Sequence, residues 1–357
     1  MTAFYPLQIT ELKHDTRDML VVRFDAPENL REIFHYRPGQ HLVLRQNIEG
    51  VEYLRQYSIC ASKNAQILRI GIKKIAGGVF SNWAFDRLQI GSVIDVSPPV
   101  GKYGWPHLIS PQNYLMIAVG SGITPILSLM TSILEGDETS QITLIYGNRN
   151  TESVVFGREI AALKEQFTTR FTVIYIMSRE KQEIDAFNGR INSAKLMHLC
   201  HKWVNLPSIH QAFLCGPATM MEEAVMALRT SGLAPEHIQR EIFIISNQKK
   251  IISSRTRHAD APDATSHIDF TINGIIQNVT AQNRNQSLLD IALAHGFDIS
   301  HSCKSGVCAS CRCKILDGKV DMDAGYGLED YEIARGFVLS CQAYPVSDKI
   351  TVDFDCG

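Results

Sequence analysis

"HSCKSGVCASCRCK", residues 301–314, holds four of the nine cysteines of a 357-residue chain, and a fifth, Cys341 in "VLSCQAY", lies within the next thirty residues. Cys303, Cys308 and Cys311 form a C-x4-C-x2-C, and 29 residues separate Cys311 from Cys341. Nine is an odd number, and a reducing cytosol keeps cysteines as thiols, so disulfides explain this density poorly.

Four thiolates drawn from one tight loop and one distant strand can surround two irons and two sulfides, and this is the plant-type 2Fe-2S spacing. Ser305, Gly306 and Ala309 are small enough for a loop that wraps a cluster with its backbone N–H groups turned toward sulfur. Zinc is the competing reading of the Cys308/Cys311 pair. Structural zinc usually takes two paired half-sites, however, and Cys341 has no near neighbour. Cys313, two residues beyond a ligand on an outgoing strand, reads as a small core thiol, as do Cys60, Cys200 and Cys356.

Just upstream, "HIDFTINGIIQNVTAQ" (267–282) signals a hairpin turning at Asn273-Gly274. In "QSLLDIALAHGFDI" (286–299), Ser287 can cap a helix, Asp290 sits at the capping-box position and Gly296 can end it. Residues 267–357 carry 12 acids and 7 bases, net -5, against +3 for the first 266 residues. An acidic module of this kind can steer docking to a basic partner, or can simply be a solvated face. Residues 246–266, "SNQKKIISSRTRHADAPDATS", are polar and aperiodic and read as a linker.

Further back, from 108 to 245, apolar runs alternate with helical patterns: "YLMIAV" then "GSGITPILSLMTSIL", "ITLIYGNR" then "GREIAALKEQF", "FTVIYIMSR" then "SAKLMHLCHKW", "QAFLCGP" then "ATMMEEAVMALRTSG", and last "HIQREIFII". Continuous apolar strands between helices imply an α/β, doubly wound parallel sheet covered on both faces. Residues 1–107 give short strands, "DMLVVRFDA", "QHLVLRQ", "EYLRQYSIC", "QILRIGIKKI" and "SVIDVSPP", punctuated by Gly, Pro and Asn; they suggest a small antiparallel β-barrel. The length suits such a multidomain chain, and 45% hydrophobic with 20% charged residues is an ordinary globular balance. A net charge of -2 argues against nucleic-acid binding. No apolar run approaches the roughly 18 residues of a membrane span, and the start lacks a signal-peptide pattern, so a cytoplasmic location without membrane attachment is expected.

A 2Fe-2S centre passes one electron at a time, so something must feed it. "RQYS" places Arg55, Tyr57 and Ser58 at a barrel strand's end, and "GGVFSNW" adds Gly77, Gly78 and Ser81. An Arg beside a glycine turn offers charge and free N–H groups to a pyrophosphate, and the aromatic can lie against a flat ring. In "GSGITP", Gly120 and Gly122 let a phosphate approach, Thr124 can cap the following helix and Pro125 suits its first turn. "YGNR" and "MSRE" end two later strands with Asn148, Arg149, Ser178 and Arg179; a hydroxyl with guanidiniums suits the 2′-phosphate of NADPH. "CGPATM" puts Cys215, Gly216 and Pro217 at the top of the fourth strand.

"RQYS", "GGVFS", "GSGITP", "YGNR" and "CGPATM" together resemble the ferredoxin-NADP reductase superfamily over residues 1 to about 245, and "CKSGVCASC" with "LSCQA" resembles plant-type ferredoxin, an α+β β-grasp fold, over the rest. The domain order is most similar to that of the reductase components of phenylacetyl-CoA epoxidase complexes. The resemblance implies FAD held by Arg55, Tyr57, Ser58, Gly77, Gly78 and Ser81, with Ser58 near flavin N5. It implies NADPH held by Gly120, Thr124, Arg149, Ser178, Arg179, Gly216 and Pro217, and catalytic roles for Ser58, Cys215 and Glu241 beside the reacting rings. Cys303, Cys308, Cys311 and Cys341 would hold the cluster, expected near about -400 mV. Plant-type reductases end in an aromatic that covers the flavin; here Phe243 occupies the similar spot and the chain runs on. The electron acceptor implied is the di-iron oxygenase of phenylacetyl-CoA epoxidation, the alternative being another multisubunit monooxygenase such as a steroid or aromatic-ring hydroxylase.

Overall fold

The computed structural model describes residues 3–65, 67–104, 112–243, 265–301, 304, 306, 309–323, 325, 327–328 and 330–356. The chain divides into two compact units, Phe4–Phe243 and, with Met1–Ala3, Ile244–Gly357. The expected linker, 246–266, lies outside the described residues except for its last two.

The first unit opens with six strands, β1 (Tyr5–Thr16), β2 (Met19–Asp25), β3 (His41–Ile48), β4 (Val51–Ser58), β5 (Leu68–Lys73) and β6 (Val93–Val96). They pair antiparallel in the order β4-β3-β6-β1-β2-β5, and an Ile59–Ile70 bridge brings the two ends of the sheet together. Alternation drives the curl: Leu7, Ile9, Leu20, Val22, Leu42, Leu44, Ile70 and Ile72 all point inward and are buried. Helix α1 (Val79–Arg87) plugs this core with Phe80 and Ala84.

The same unit continues into a parallel sheet of β7 (Asn113–Val119), β8 (Gln141–Asn148), β9 (Phe171–Met177), β10 (Gln211–Gly216) and β11 (Ile238–Ile242), ordered β11-β10-β7-β8-β9. Tyr114, Met116 and Ala118 face one core with α2 (Ile123–Gly136) and α3 (Gly157–Gln166). Leu115 and Ile117 face another with α4 (Ser193–Trp203) and α5 (Ala218–Thr230). Both faces of each strand are therefore apolar, as a doubly wound sheet requires. Helix α2 is buried almost all round because it also packs on the barrel, where Ser128 Oγ donates to the Ala61 carbonyl (2.7 Å). Strand order reverses between β7 and β10, so a crevice forms where both end.

The second unit holds β12 (Ser266–Ile272), β13 (Ile275–Ala281), α6 (Leu288–Ala294), β14 (Arg312–Asp317), β15 (Val320–Met322), α7 (Asp330–Ala334), β16 (Phe337–Leu339), β17 (Ala343–Pro345) and β18 (Lys349–Asp353). Its main sheet, β13-β12-β18-β14-β16, is mixed: β12 and β18 run parallel, the other neighbours antiparallel. Leu288, Leu289, Ile291 and Ala292 of α6 share its core, the grasp of a sheet on a helix. Asn273 and Gly274 at the hairpin turn have φ of +51° and +74°, the left-handed pair that a two-residue turn needs. Ser287 caps α6 by accepting from the Asp290 N–H (3.1 Å), and Gly296, at φ +79°, follows its end.

Candidate functional site

Arg55, Tyr57 and Ser58 run along the end of β4, opposite β3, with Ser58 directly across from His41 and Tyr57 from Leu42. Ser58 is buried and its Oγ has no hydrogen-bond partner, nor has the buried Gln56 Nε2. Native interiors seldom leave such groups unpaired, which singles both out as candidate partners of a polar ligand. Tyr57 stacks obliquely on Phe80, ring centres 5.9 Å apart, and burial holds its hydroxyl proton well above the ordinary value. Arg55 lies 5.3 Å over the Tyr53 ring and donates to the Leu54 carbonyl (2.7 Å).

Gly77 adopts φ +72°, and Gly78 is the cap of α1 without any side-chain hydrogen bond. A β-carbon on Gly78 would sit 2.7 Å from Ser81 Oγ, which accepts from the Ile75 N–H (3.2 Å). The glycines read from sequence as a turn thus open a helix whose cap supplies no side-chain hydrogen bond to its first N–H groups.

At the crevice, Gly120 adopts φ +56° and Gly122 presses on Cys215: a β-carbon on Gly122 would lie 2.1 Å from the Cys215 carbonyl oxygen. Thr124, expected from sequence to cap α2, does not. Gly122 is the cap, Ile123 opens the helix, and Thr124 Oγ1 donates back to the Ser121 carbonyl (3.0 Å) while its methyl group faces Gly71 of the barrel. Pro125 does lie in the first turn. Gly216 ends β10 and Pro217 caps α5.

The ends of β8 and β9 are tied together: the Ser178 N–H donates to the Asn148 carbonyl (2.9 Å) and that of Arg179 to the Arg149 carbonyl (2.7 Å). Asn148 is buried near the Tyr146 hydroxyl, whereas Arg179 is exposed and Arg149 lies 3.9 Å from Asp18. Lys73, which sequence reasoning missed, brings its ammonium to Gly120: a β-carbon there would meet Nζ at 3.2 Å. Burial foremost, then Arg149, lowers the Lys73 pKa. A lysine at the end of an apolar barrel strand carries no sign in sequence that it reaches another sheet.

Glu241 is the parallel partner of Cys215. Burial holds the Cys215 thiol far above its ordinary pKa, with Glu241 adding to the effect, and pushes the Glu241 carboxyl up to about 8. Phe243 is half-buried against the α/β core.

In the second unit, Cys311 and Cys341 are both buried, and the Ser340 N–H and Oγ donate to the Cys311 carbonyl (3.0 and 2.9 Å), which binds the distant cysteine's strand to the loop. Cys303 and Cys308 lie outside the described residues. Lys304, Gly306 and Ala309 take positive φ, +50°, +78° and +55°. Cys313 sits in the core of β14 opposite Val338. Cys356, expected in a core, is exposed instead and donates its thiol to Asp353 Oδ2 (2.7 Å). Beyond β18 its side chain faces solvent rather than the core.

Three family models match in order: an oxidoreductase FAD-binding domain over residues 6–105, an oxidoreductase NAD-binding domain over 116–226 and a 2Fe-2S iron-sulfur cluster binding domain over 270–346. Among described residues no helix is long and apolar enough to cross a membrane. The fold is shared with phthalate dioxygenase reductase, at TM-score 0.63 and 19% identity over 98% of both chains. Over 99% of both chains the sequence is 38% identical to one component of the 1,2-phenylacetyl-CoA epoxidase of Escherichia coli (strain K12). It is 31% identical to the ferredoxin reductase component of the 3-ketosteroid-9-alpha-monooxygenase of Rhodococcus rhodochrous, over 98% of this chain and 96% of the relative. The chain therefore belongs to the family of NAD(P)H oxidoreductases that serve as oxygenase reductase components, with FAD-binding, NAD-binding and 2Fe-2S domains in that order.

Proposed function

We propose that this protein, in the cytoplasm, draws electrons from NADPH and delivers them through FAD and the 2Fe-2S cluster to the oxygenase component of a phenylacetyl-CoA epoxidase. The observation that carries the reading is the 38% identity to the phenylacetyl-CoA epoxidase component of Escherichia coli across nearly the full length of both chains. The reading divides the chain into a flavin barrel (1–107), a nucleotide domain (108–245), a linker (246–266) and a ferredoxin domain (267–357).

FAD supplies a carrier that takes two electrons together and releases them singly, which matches a hydride donor to a one-electron cluster. The chain's own residues bind and orient. Arg55, Gly77, Gly78 and Ser81 would hold the flavin pyrophosphate, Tyr57 would flank the ring and the Ser58 hydroxyl would stand near its reacting edge. Gly120, Thr124, Arg149, Ser178, Arg179, Gly216 and Pro217 seat NADPH, with Lys73 adding charge at Gly120. Cys215, which keeps its proton, serves as a polarizable wall rather than a nucleophile, and Glu241 stands beside it as a protonated acid. Positioning and exclusion of water are what the reaction asks of the protein. Cys303, Cys308, Cys311 and Cys341 would ligate the cluster.

A second reading, service to a steroid or other oxygenase, is favoured by the 31% identity to the ketosteroid monooxygenase reductase. Reconstitution separates the two. The flavin- and cluster-loaded protein with NADPH is expected to support phenylacetyl-CoA epoxidation by the matching oxygenase, and turnover only with a steroid or aromatic-ring oxygenase would overturn the first reading. The electron path has its own test. Cys308→Ser should abolish cytochrome c reduction and spare ferricyanide reduction, and equal loss of both would refute the path.

A further inference from the structure

The turn that follows β8 is tied to itself through one hydroxyl. Ser153 Oγ accepts from the Arg149 N–H (3.2 Å) and the Asn150 N–H (3.1 Å) and donates to the Asn150 carbonyl (2.7 Å). Arg149, one of the guanidiniums that suit the 2′-phosphate of NADPH, therefore leaves the backbone of a stiffened turn. Its side chain is 56% exposed, so the long ion pair with Asp18 (3.9 Å) holds it only weakly. What matters for its aim is how the turn itself is anchored.

A residue beyond the neighbouring strand reaches this turn. Glu180 follows Arg179 past the end of β9, and its carboxylate accepts from the Thr151 N–H through Oε2 (2.7 Å) and from the Thr151 hydroxyl through Oε1 (2.6 Å). Gln182 Nε2 adds a longer bond to Oε1 (3.4 Å). Gln182 is in turn fixed by Asn188, whose Oδ1 accepts from its N–H (2.7 Å) and whose Nδ2 donates to its carbonyl (3.0 Å). The Thr151 hydroxyl and N–H hold the Glu180 carboxyl below the usual carboxylate range, so it is an anion at neutral pH. Charge-assisted bonds of this length are the stronger kind. Together with the two main-chain bonds from Ser178 and Arg179, they bolt the ends of β8 and β9 to each other. An acid beside a phosphate-binding arginine would by charge alone oppose the ligand, so its place here calls for another account.

We propose that Glu180 is a positioning residue for the 2′-phosphate: by gripping Thr151 it keeps the Arg149 turn and the Ser178-Arg179 strand end at a fixed spacing, so that a guanidinium from each side meets the same phosphate. This rests on the reading of the electron donor as NADPH. Glu180 acts through Arg149 and Arg179 and touches no reacting atom. A long arginine side chain loses rotamer freedom when it binds, and a loose turn beneath it would add backbone ordering to that loss. A fixed turn leaves only the side chain to order. A nucleotide without the 2′-phosphate makes no use of the arginine pair, so Glu180 contributes to selection of NADPH over NADH rather than to nucleotide binding in general. A bolt and a bystanding charge predict opposite signs when the carboxylate is removed. Loss of a bolt weakens binding of the 2′-phosphate, whereas loss of a repelling charge strengthens it.

The test compares 2′,5′-ADP with 5′-AMP, which differ by the 2′-phosphate alone, in titration calorimetry on the FAD-loaded full-length protein. The wild type should bind 2′,5′-ADP the more tightly. In Glu180→Ala, affinity for 2′,5′-ADP should fall about tenfold, the scale of a charge-assisted hydrogen bond, while that for 5′-AMP stays within about twofold. The KM for NADPH should rise by a similar factor with kcat for ferricyanide reduction unchanged, as loss of uniform binding requires. Thr151→Val keeps the N–H but not the hydroxyl and should lose about threefold, whereas Thr151→Ser keeps both donors and should match the wild type. Unchanged or tighter binding of 2′,5′-ADP by Glu180→Ala overturns the inference. So does equal weakening of both nucleotides, which would make Glu180 a support of the fold. If Glu180→Ala does not fold, Thr151→Val decides by the same comparison. Wild-type protein that binds the two nucleotides alike sinks the NADPH reading itself, and the inference with it.

Discussion

Burial keeps Glu241 protonated at neutral pH, and that ties stability to pH. Folded, it binds the proton to about pH 8, against 4.5 for the free side chain, so stability falls as pH rises through that window. His41 works the other way. It stays neutral down to about 4 against an ordinary 6.5, so stability rises with pH between those values. The two slopes offset from 4.5 to 6.5 and leave a net fall from 6.5 to 8, about 2 kcal/mol in all. Glu241→Gln should remove that fall. Denaturant midpoints at pH 6.5 and 8 check it, and an unchanged slope in the variant would contradict the protonated state. At this scale Ser58 and Gly78 could be read from sequence because their motifs are contiguous. His41 and Lys73 could not, since each acquires its meaning from a partner on another element, Glu241 for one and Gly120 for the other.

The junction of β7, β10 and α2 rests on one glycine. A methyl group on Gly122 meets the Cys215 carbonyl carbon at 2.6 Å as well as its oxygen at 2.1 Å, and backbone cannot swing aside as a side chain does. Gly122→Ala should therefore cost about 1–3 kcal/mol and raise the KM for NADPH while FAD stays bound, because the contact lies on the nucleotide side. Unchanged KM and thermal midpoint would contradict the packing. At the other end of the chain, Ser287→Ala removes the cap of α6 and should cost about 1 kcal/mol in thermal unfolding, with no loss expected only if another group caps the Asp290 N–H. Periodicity made the helices and apolar strands legible at this scale. It concealed β1, whose "YPLQITELKHDT" buries only Leu7 and Ile9 and slips register at two places, so its pattern breaks before it can be counted. It concealed α1 too, because Gly77-Gly78 before "VFSNWAFDR" reads as a turn rather than as the entrance to a helix.

For the molecule as a whole, the order of three modules was legible because each has its own grammar: alternation in the barrel, apolar strands between helices in the nucleotide domain, cysteine spacing in the last. Which oxygenase receives the electrons was implied only by resemblance and not by composition or spacing, because recognition by a partner is written in the shape and charge of a surface. Charge does allow one further step. The last 91 residues carry net -5 and the first 266 carry +3, so the module bearing the cluster is the acidic end of a nearly neutral chain. A cationic protein acceptor such as cytochrome c should be drawn to that end. Raising ionic strength from about 0.01 to 0.15 M shortens the screening length from about 30 to about 8 Å, and reduction of cytochrome c at subsaturating concentration should slow several-fold in response. Neutralising two exposed acids of the module, Asp321→Asn with Asp323→Asn, should slow it at low salt and flatten the salt dependence without altering NADPH-driven ferricyanide reduction. If the variant instead keeps the full salt dependence, the acidic side chains are a solvated surface and the acceptor is guided by other contacts.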